Sequence, residues 1–173
     1  MTAQAQTIQW KEHHPCTIGV ISDTHGYLDA RVIDAFAGTD LIIHAGDIGK
    51  PKILHALATI APVKAVRGNT DRGPWADDLP STALVALDLV TLYVLHDIQQ
   101  LDLEPQAAGI RVVISGHTHR ASLEEKNNVV FLNPGSAIEP RHNSPPTVAI
   151  LTARGEVLDA RFVELADSKQ GKI

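Results

Sequence analysis

GVISDTHG, residues 19–26, starts as an apolar strand and ends on an aspartate and a histidine, Asp23 and His25. The run around it, CTIGVIS at 16–22, is apolar at nearly every position, which predicts a strand buried on both faces. A carboxylate and an imidazole at the end of such a strand are two good metal ligands. Alone, a D-x-H pattern is a weak signal, because it occurs by chance in many proteins.

The first half of the chain alternates strand-like and helix-like segments. Strands are predicted at 16–22, 41–46 and 63–68, and helical spacing occurs at 28–37 and 50–60. This β-α-β-α-β order predicts a parallel sheet with right-handed crossovers.

The second half is mostly strand-like. Asn127 and Asn128 favour a hairpin turn, because asparagine tolerates left-handed backbone. Two sheets packed face to face, with helices outside, would bury both sets of strands. Strands are predicted at 81–88, 89–96, 111–115, 122–126, 129–133, 146–153 and 156–165, with a short helix at 101–108.

Composition indicates one globular domain over 1–173, with a polar N-terminal segment of about 1–15 and a polar tail of about 167–173. The net charge of −5 argues against nonspecific nucleic-acid binding. The single cysteine, Cys16, is expected to be a small buried residue and suits a reducing compartment. The sequence shows no signal peptide and no apolar stretch long enough to span a bilayer, so we expect a cytoplasmic protein without membrane contact.

Metal-competent residues follow the predicted strands one after another. In open α/β sheets, sites form beyond the carboxyl ends of the strands, so these loops are expected to meet. Each motif is weak alone, but this order at successive strand ends is an improbable coincidence. The residues are Asp23, His25, Asp47, Asn69, His96, His117 and His119.

These motifs resemble those of the calcineurin-like metallophosphoesterase superfamily, and within it the small YfcE-type phosphodiesterases. The resemblance implies a four-layer α-β-β-α sandwich, in which two mixed β-sheets pack face to face between flanking helices, with a dinuclear metal centre at one edge. It rests on DTH at 23–25, GD at 46–47, GNTD at 68–71, LHD at 95–97, GHTH at 116–119 and NPGS at 133–136.

The resemblance also implies which residues bind which ion. Asp47 would bridge two divalent cations, for which manganese is the first choice and iron, zinc and nickel are alternatives, since mixed imidazole, carboxylate and amide ligands suit such metals. Asp47, Asn69 and His25 are the predicted catalytic residues. One cation would be held by Asp23, His25, Asp47 and His119, and the other by Asp47, Asn69, His96 and His117.

The activity implied is hydrolysis of a small phosphoester by metal-activated hydroxide. Two divalent cations would outweigh two aspartates and a hydroxide, leaving one positive charge to attract an anionic substrate. Arg67, Arg72 and Arg120 lie beside the motifs and are candidates for phosphate contacts, although solvated surface charges are equally consistent. His44, inside a strand, is either a support for a ligand or a hydrogen-bonded core histidine.

Two positions depart from the family pattern. Larger relatives have histidine, the leaving-group acid, where this chain has Thr70, which predicts a preference for diesters with good leaving groups. The small subfamily usually has glycine where this chain has Asp97. Asp97 would repel substrate, support His96 or point away, and the sequence does not choose among these.

Other functions stay open at this point. A scaffold or interaction module of the same fold is the main alternative, and it is disfavoured because all seven inferred ligand positions hold ligating side chains. A phosphomonoesterase or protein phosphatase is the second alternative, and it is disfavoured because this chain lacks the leaving-group acid. A homo-oligomer is compatible with the sequence but not indicated by it.

Overall fold

The computed structural model describes residues 15–87, 89–138 and 144–165, and within these ranges ten strands form two five-stranded sheets. The strands are β1 Cys16–Ile21, β2 Leu41–His44, β3 Val63–Ala65, β4 Thr82–Leu87, β5 Val90–Leu95, β6 Val112–Ile114, β7 Ala121–Lys126, β8 Val129–Pro134, β9 Thr147–Arg154 and β10 Val157–Glu164. The helices are α1 Ala30–Ala35, α2 Pro51–Ala58 and α3 Pro74–Asp77, with a 3₁₀ helix at Ile98–Gln100.

Both sheets are mixed, as predicted. The first has the strand order β10-β9-β1-β2-β3, with β1, β2 and β3 parallel and β9 and β10 antiparallel. The second has the order β4-β5-β6-β8-β7, with β5, β6 and β8 parallel. The strands that precede the predicted ligands therefore belong to the parallel part of one sheet or the other, with β3 at the edge of the first sheet.

The main core lies between the sheets, and side-chain alternation along β1 explains how it is filled. Ile18 and Val20 are fully buried in this inter-sheet cluster. Ile21 belongs to a second cluster, between the first sheet and the helices, together with Phe36. Gly19 faces the same side, where a Cβ would lie 2.8 Å from the Phe36 ring, so its lack of a side chain lets the α1 region pack directly on the sheet.

The predicted helix at 101–108 is wrong. The chain forms the 3₁₀ helix at Ile98–Gln100 and then turns, because Asp97 starts that helix early and Pro105 has no N–H for a continuing one. These turns cover an apolar cluster on the outer face of the second sheet, where Leu101 and Leu103 pack. Helix α3 was not expected, although Pro74 at its first position is a recognised start signal.

The predicted polar segments of about 1–15 and 167–173 lie outside the described residues, apart from Pro15. In the described part of the chain, no helix has the length and apolar character needed to cross a bilayer.

Candidate metal centre

Backbone hydrogen bonds tie the loops after the central strands to one another. The amide of Asp23 donates to the Gly46 carbonyl at 3.0 Å, and the amide of His25 donates to the Asp47 carbonyl at 2.9 Å. In the second sheet, the Gly116 amide donates to the His96 carbonyl at 2.9 Å. The loops that follow β1 and β2 are thus joined, as are those that follow β5 and β6.

Asp23, His25 and His119 form a first group of donor atoms, all within 4.8 Å of one another. His119 Nε2 lies 3.2 Å from Asp23 Oδ1 and 3.4 Å from His25 Nε2. Asp23 is fully buried, and its Oδ1 accepts no hydrogen bond in the described structure. A buried carboxylate oxygen without a donor indicates a place for a cation.

Asp23, Asp47 and His96 form a second group within the same 4.8 Å limit. Asn69 Oδ1 lies 3.0 Å from His96 Nε2 and 3.0 Å from His117 Nδ1. His96 Nε2 is also 3.5 Å from Asp47 Oδ2. The structure therefore brings together all seven predicted ligands, although Asp23, not Asp47, is the residue common to both groups.

The orientation of His96 indicates that a positive charge belongs among the donor atoms of the second group. Its Nδ1 lies 2.8 Å from the Ala45 carbonyl, which can only accept, so Nδ1 carries a proton. In the neutral ring, Nε2 then presents a lone pair to the oxygens of Asn69 and Asp47. These acceptors repel one another unless a positive charge, either a proton or a cation, lies among them.

The pKa shifts agree with this reading. Burial opposes charge on His96, but hydrogen bonds to Asp47 and to the Ala45 carbonyl raise its pKa overall. Burial also opposes charge on Asp47, but hydrogen bonds from His96 and the Thr70 amide bring the pKa of Asp47 well below its usual range. Burial raises the pKa of Asp23, more than its neighbours lower it. The negative charge of Asp47 is therefore stabilised by hydrogen bonds in the pocket, whereas the negative charge of Asp23 is not stabilised enough to offset its burial.

Backbone strain is concentrated at the same residues. Asp23, His25, Asp47, His117 and His119 have φ values of 54°, 44°, 54°, 67° and 58°. The left-handed region is uncommon for residues with a Cβ, and such strain collects at functional sites. Elsewhere in the described chain, the non-glycine residues with positive φ are the predicted hairpin asparagines at 127–128.

Several residues support the ligands without belonging to either group. Asp71 accepts hydrogen bonds from the amides of Gly49 at 2.7 Å and Gly68 at 2.8 Å, so it orients two loops. Ser22 donates to Asp23 Oδ2, and Asn133 Nδ2 donates to the Gly116 carbonyl at 2.7 Å. The sequence did not indicate the roles of Ser22 and Asn133, because side-chain directions at these positions are set by the packing of the loops.

His44 is a fully buried supporting residue. Thr24 Oγ1 donates to the Ile48 carbonyl at 3.0 Å, so it accepts from His44 Nε2, also at 3.0 Å. Burial, together with the charge of His96, lowers the pKa of His44 to about 3. A neutral His44 thus holds the loop of Asp23 and His25 against β2.

The remaining predicted residues lie around the site. Arg67 Nη1 pairs with Asp77 at 3.1 Å on the surface and lines a cavity of about 480 Å³ beside Asn69 and His96. Arg72 and Arg120 are exposed, and their contact with substrate stays a prediction.

The structure places Asp97 close to His117, a neighbour that the sequence did not indicate. Its Oδ1 accepts from the Gln99 amide at 3.0 Å, and its Oδ2 lies 4.0 Å from His117 Nε2. Its nearest described imidazole is thus His117, while both nitrogens of His96 have other partners.

Comparisons with known proteins agree with the fold. Residues 17–156 match the calcineurin-like phosphoesterase superfamily domain. The chain is 40% identical over 158 residues to a probable metallophosphoesterase of Methanothermobacter thermautotrophicus, covering 84% of this chain and 91% of that protein.

Solved structures show the same fold. The structure reported as a novel archaeal phosphodiesterase has a TM-score of 0.71 and 25% identity, and the match covers 85% of this chain and 99% of that chain. Zinc-bound Vps29 from Entamoeba histolytica has a TM-score of 0.75 and 21% identity, with 88% and 94% covered. The domain match over most of the chain and the 40% identical relative lead to one conclusion: the chain belongs to the calcineurin-like phosphoesterase superfamily.

Proposed function

We propose that the protein is a phosphodiesterase that depends on two divalent metal ions and hydrolyses P–O bonds in small phosphoesters. The observation that carries this proposal is the meeting of seven ligating side chains in which acceptor atoms face one another. Metallophosphoesterase relatives and the 25% identical archaeal phosphodiesterase support the same reaction class.

The residues would divide between the two ions as the family resemblance implies. Asp47 is the proposed bridge, because its carboxylate lies in one donor group with Asp23 of the first set and His96 of the second. Manganese is the proposed metal, since imidazole, carboxylate and amide ligands together suit borderline divalent ions. When bound, such a pair supplies Lewis acidity and lowers the pKa of bound water, which yields a nucleophile near neutral pH.

The chain's own groups would then position the substrate. We assign Asn69 a double role, with its Oδ1 in the second donor set and its amide N–H groups available to a phosphoryl oxygen. His25, which is only partly buried, stands at the open side of the first set, where substrate enters. Arg67 at the cavity wall is the best placed of the three candidate arginines to meet a phosphoester.

The cavity beside Asn69 and His96 is the proposed location of the leaving group. Its volume of about 480 Å³ is large enough for an ester substituent, and Thr82 and Gln100 also line it. Thr70 cannot protonate a departing alkoxide near neutral pH, and its amide is already engaged with Asp47 at 2.9 Å. Substrates whose leaving group departs as an anion are therefore favoured.

The proposal is tested by hydrolysis of bis(p-nitrophenyl) phosphate with Mn²⁺. We expect turnover by the wild type and at least a hundredfold loss in Asp47→Asn and His117→Ala. His55→Ala, at an exposed position of α2, is the matched control and should keep wild-type activity. Wild-type activity in both site variants would remove the proposed centre, and no turnover with Mn, Fe, Zn or Ni would favour the scaffold alternative.

A further inference from the structure

Asp97 is held in place by the start of the 3₁₀ helix, and one of its oxygens is left facing the metal centre. Oδ1 accepts from the Gln99 amide at 3.0 Å, which fixes the side chain. Oδ2 lies 4.0 Å from His117 Nε2, and the Asp97 side chain is 15% exposed against 43% for His117. A largely sheltered carboxylate is thus aimed at a more exposed imidazole.

His117 has its other nitrogen in the second donor set. Nδ1 lies 3.0 Å from Asn69 Oδ1, next to His96 Nε2. A neutral imidazole has one N–H and one lone pair, so Nδ1 can bind a cation only when the proton is on Nε2. Without a cation, Asn69 Oδ1 attracts the proton to Nδ1 and the charge of Asp97 attracts it to Nε2, so both tautomers are populated and the balance between them depends on Asp97.

We propose that Asp97 is a positioning residue that holds His117 with its proton on Nε2, so that the Nδ1 lone pair is presented to the second cation. This inference rests on the proposed function, because it requires the second donor set to bind a metal. A separation of 4.0 Å exceeds a direct hydrogen bond, so Asp97 acts here through its charge on the Nε2–H dipole. Carboxylates behind metal-bound histidines set tautomer and ring orientation in this way.

Capping of the 3₁₀ helix alone does not account for aspartate at this position. The cap uses only Oδ1, and an asparagine oxygen would accept from the Gln99 amide equally well. Support of His96 is also ruled out as its role, since Nδ1 of that ring is engaged by the Ala45 carbonyl at 2.8 Å. The orientation of Oδ2 toward His117 is the feature that requires a carboxylate.

The test compares Asp97→Asn, which keeps the cap and loses the charge, with Asp97→Ala, which loses both. Asp102→Asn is the control. Asp102 lines the cavity beside His96, so this substitution removes the same charge close to the site. Mn²⁺ affinity of the second site is measured by calorimetry, and the tautomer of His117 in the metal-free protein is measured by ¹⁵N NMR. Thermal melting checks that each variant is folded.

We expect both Asp97 variants to bind the second Mn²⁺ about tenfold more weakly. We also expect the Nδ1–H form of His117 to increase in both, while Asp102→Asn matches the wild type in both measurements. Wild-type affinity and tautomer in folded Asp97→Asn would overturn the inference, as would an equal loss in Asp102→Asn. Neither measurement requires turnover. If the wild type binds two Mn²⁺ ions and His117 is unchanged in the Asp97 variants, only the role of Asp97 is refuted. If the wild type binds no second ion, the proposed metal centre is refuted.

Discussion

The Nε2 atoms of His25 and His119 lie 3.4 Å apart, although 94 residues separate them in the chain. Their rings are tilted by 45°, with centroids 5.3 Å apart, so the rings do not stack but direct these nitrogens at one place. Asp23 Oδ1 is 3.2 Å from His119 Nε2 in the same place. Such a grouping is stabilised by added positive charge, and its consequences for stability can be measured.

The two buried aspartates should have opposite effects on the metal-free protein. At pH 7, Asp23→Asn should raise the free energy of unfolding by on the order of 1 kcal/mol, because burial raises the pKa of Asp23 and its charge therefore costs stability. Asp47→Asn should lower it by a similar amount, because hydrogen bonds from His96 and Thr70 lower the pKa of Asp47. Urea unfolding in the presence of a chelator measures both.

Addition of Mn²⁺ provides the companion measurement. Saturation at a hundred times Kd should stabilise the wild type by about 2.7 kcal/mol per site, since the ion binds only the folded state. Both aspartate variants should lose most of this gain. If Asp23→Asn is less stable than the wild type without metal, the buried charge of Asp23 does not destabilise the metal-free protein and this prediction is wrong.

Gly68→Ala should weaken metal binding. A Cβ at this position would lie 2.1 Å from both the backbone nitrogen and Oδ1 of Asp47, so the loop after β3 would have to move away. We expect at least tenfold weaker Mn²⁺ binding by calorimetry. Gly38→Ala is the control, because Gly38 has a φ of 79° but nothing within 4 Å of the added Cβ. It should cost about 1–2 kcal/mol of stability and leave metal affinity unchanged.

Substrate preference should reflect the threonine at position 70. Under the same conditions, bis(p-nitrophenyl) phosphate should be hydrolysed faster than a simple alkyl monoester such as glycerol phosphate, because p-nitrophenolate needs no proton to leave. Thr70→His would place an imidazole after Asn69 and should raise the relative rate on poor leaving groups. Comparison of kcat/KM for the two substrates decides this, and a faster alkyl monoester would contradict it.

Loss of stability in mild acid should depend on His44. The unfolded side chain has a pKa of about 6.5, whereas burial lowers the folded pKa to about 3. Between these values the unfolded state binds the additional proton, so stability falls as the pH decreases. From pH 7 to pH 5 the loss from this one group is roughly 2 kcal/mol, measured by urea unfolding of the metal-free protein.

Two variants separate this effect from other titrations. His44→Gln keeps an N–H that can donate to Thr24 Oγ1 and should remove the His44 part of the pH dependence. His55→Gln changes an exposed helix residue and should keep the wild-type slope. Equal slopes in all three proteins would show that His44 does not exclude its proton in the fold.

Cys16 should resist thiol reagents while the protein is folded. Its side chain is 6% exposed, and burial, with the nearby charge of Asp40, raises the pKa of the thiol to about 12. Because it is the one cysteine of the sequence, labelling by Ellman's reagent at pH 8 reports on it directly. We expect complete reaction in urea and at least hundredfold slower reaction without it. Lys52→Cys, at an exposed position of α2, should label at once.

The order of strands and the set of ligating side chains that meet at their ends could be predicted from the chain, because both depend on local patterns. Apolar runs such as 16–22 and 41–46 predict buried strands, and the predicted ligands lie at or shortly after the ends of such runs. The asparagine pair at 127–128 predicted the hairpin between β7 and β8 for an equally local reason, its tolerance of left-handed backbone. The helix predicted at 101–108 was wrong, since helical spacing there competes with the cap at Asp97 and with Pro105.

Distances and charge states were decided only by the tertiary structure. Nothing near Asp23 in the chain indicates that its Oδ1 is buried without a donor, because that depends on the loop of His119 closing over it. The direction in which Asp97 points follows from the 3₁₀ helix and the position of His117, which lie on different strand ends. Side-chain type and spacing along the chain determine which groups can bind a cation. Packing of the two sheets determines the distances between these groups and the free energy needed to place a charge on each one.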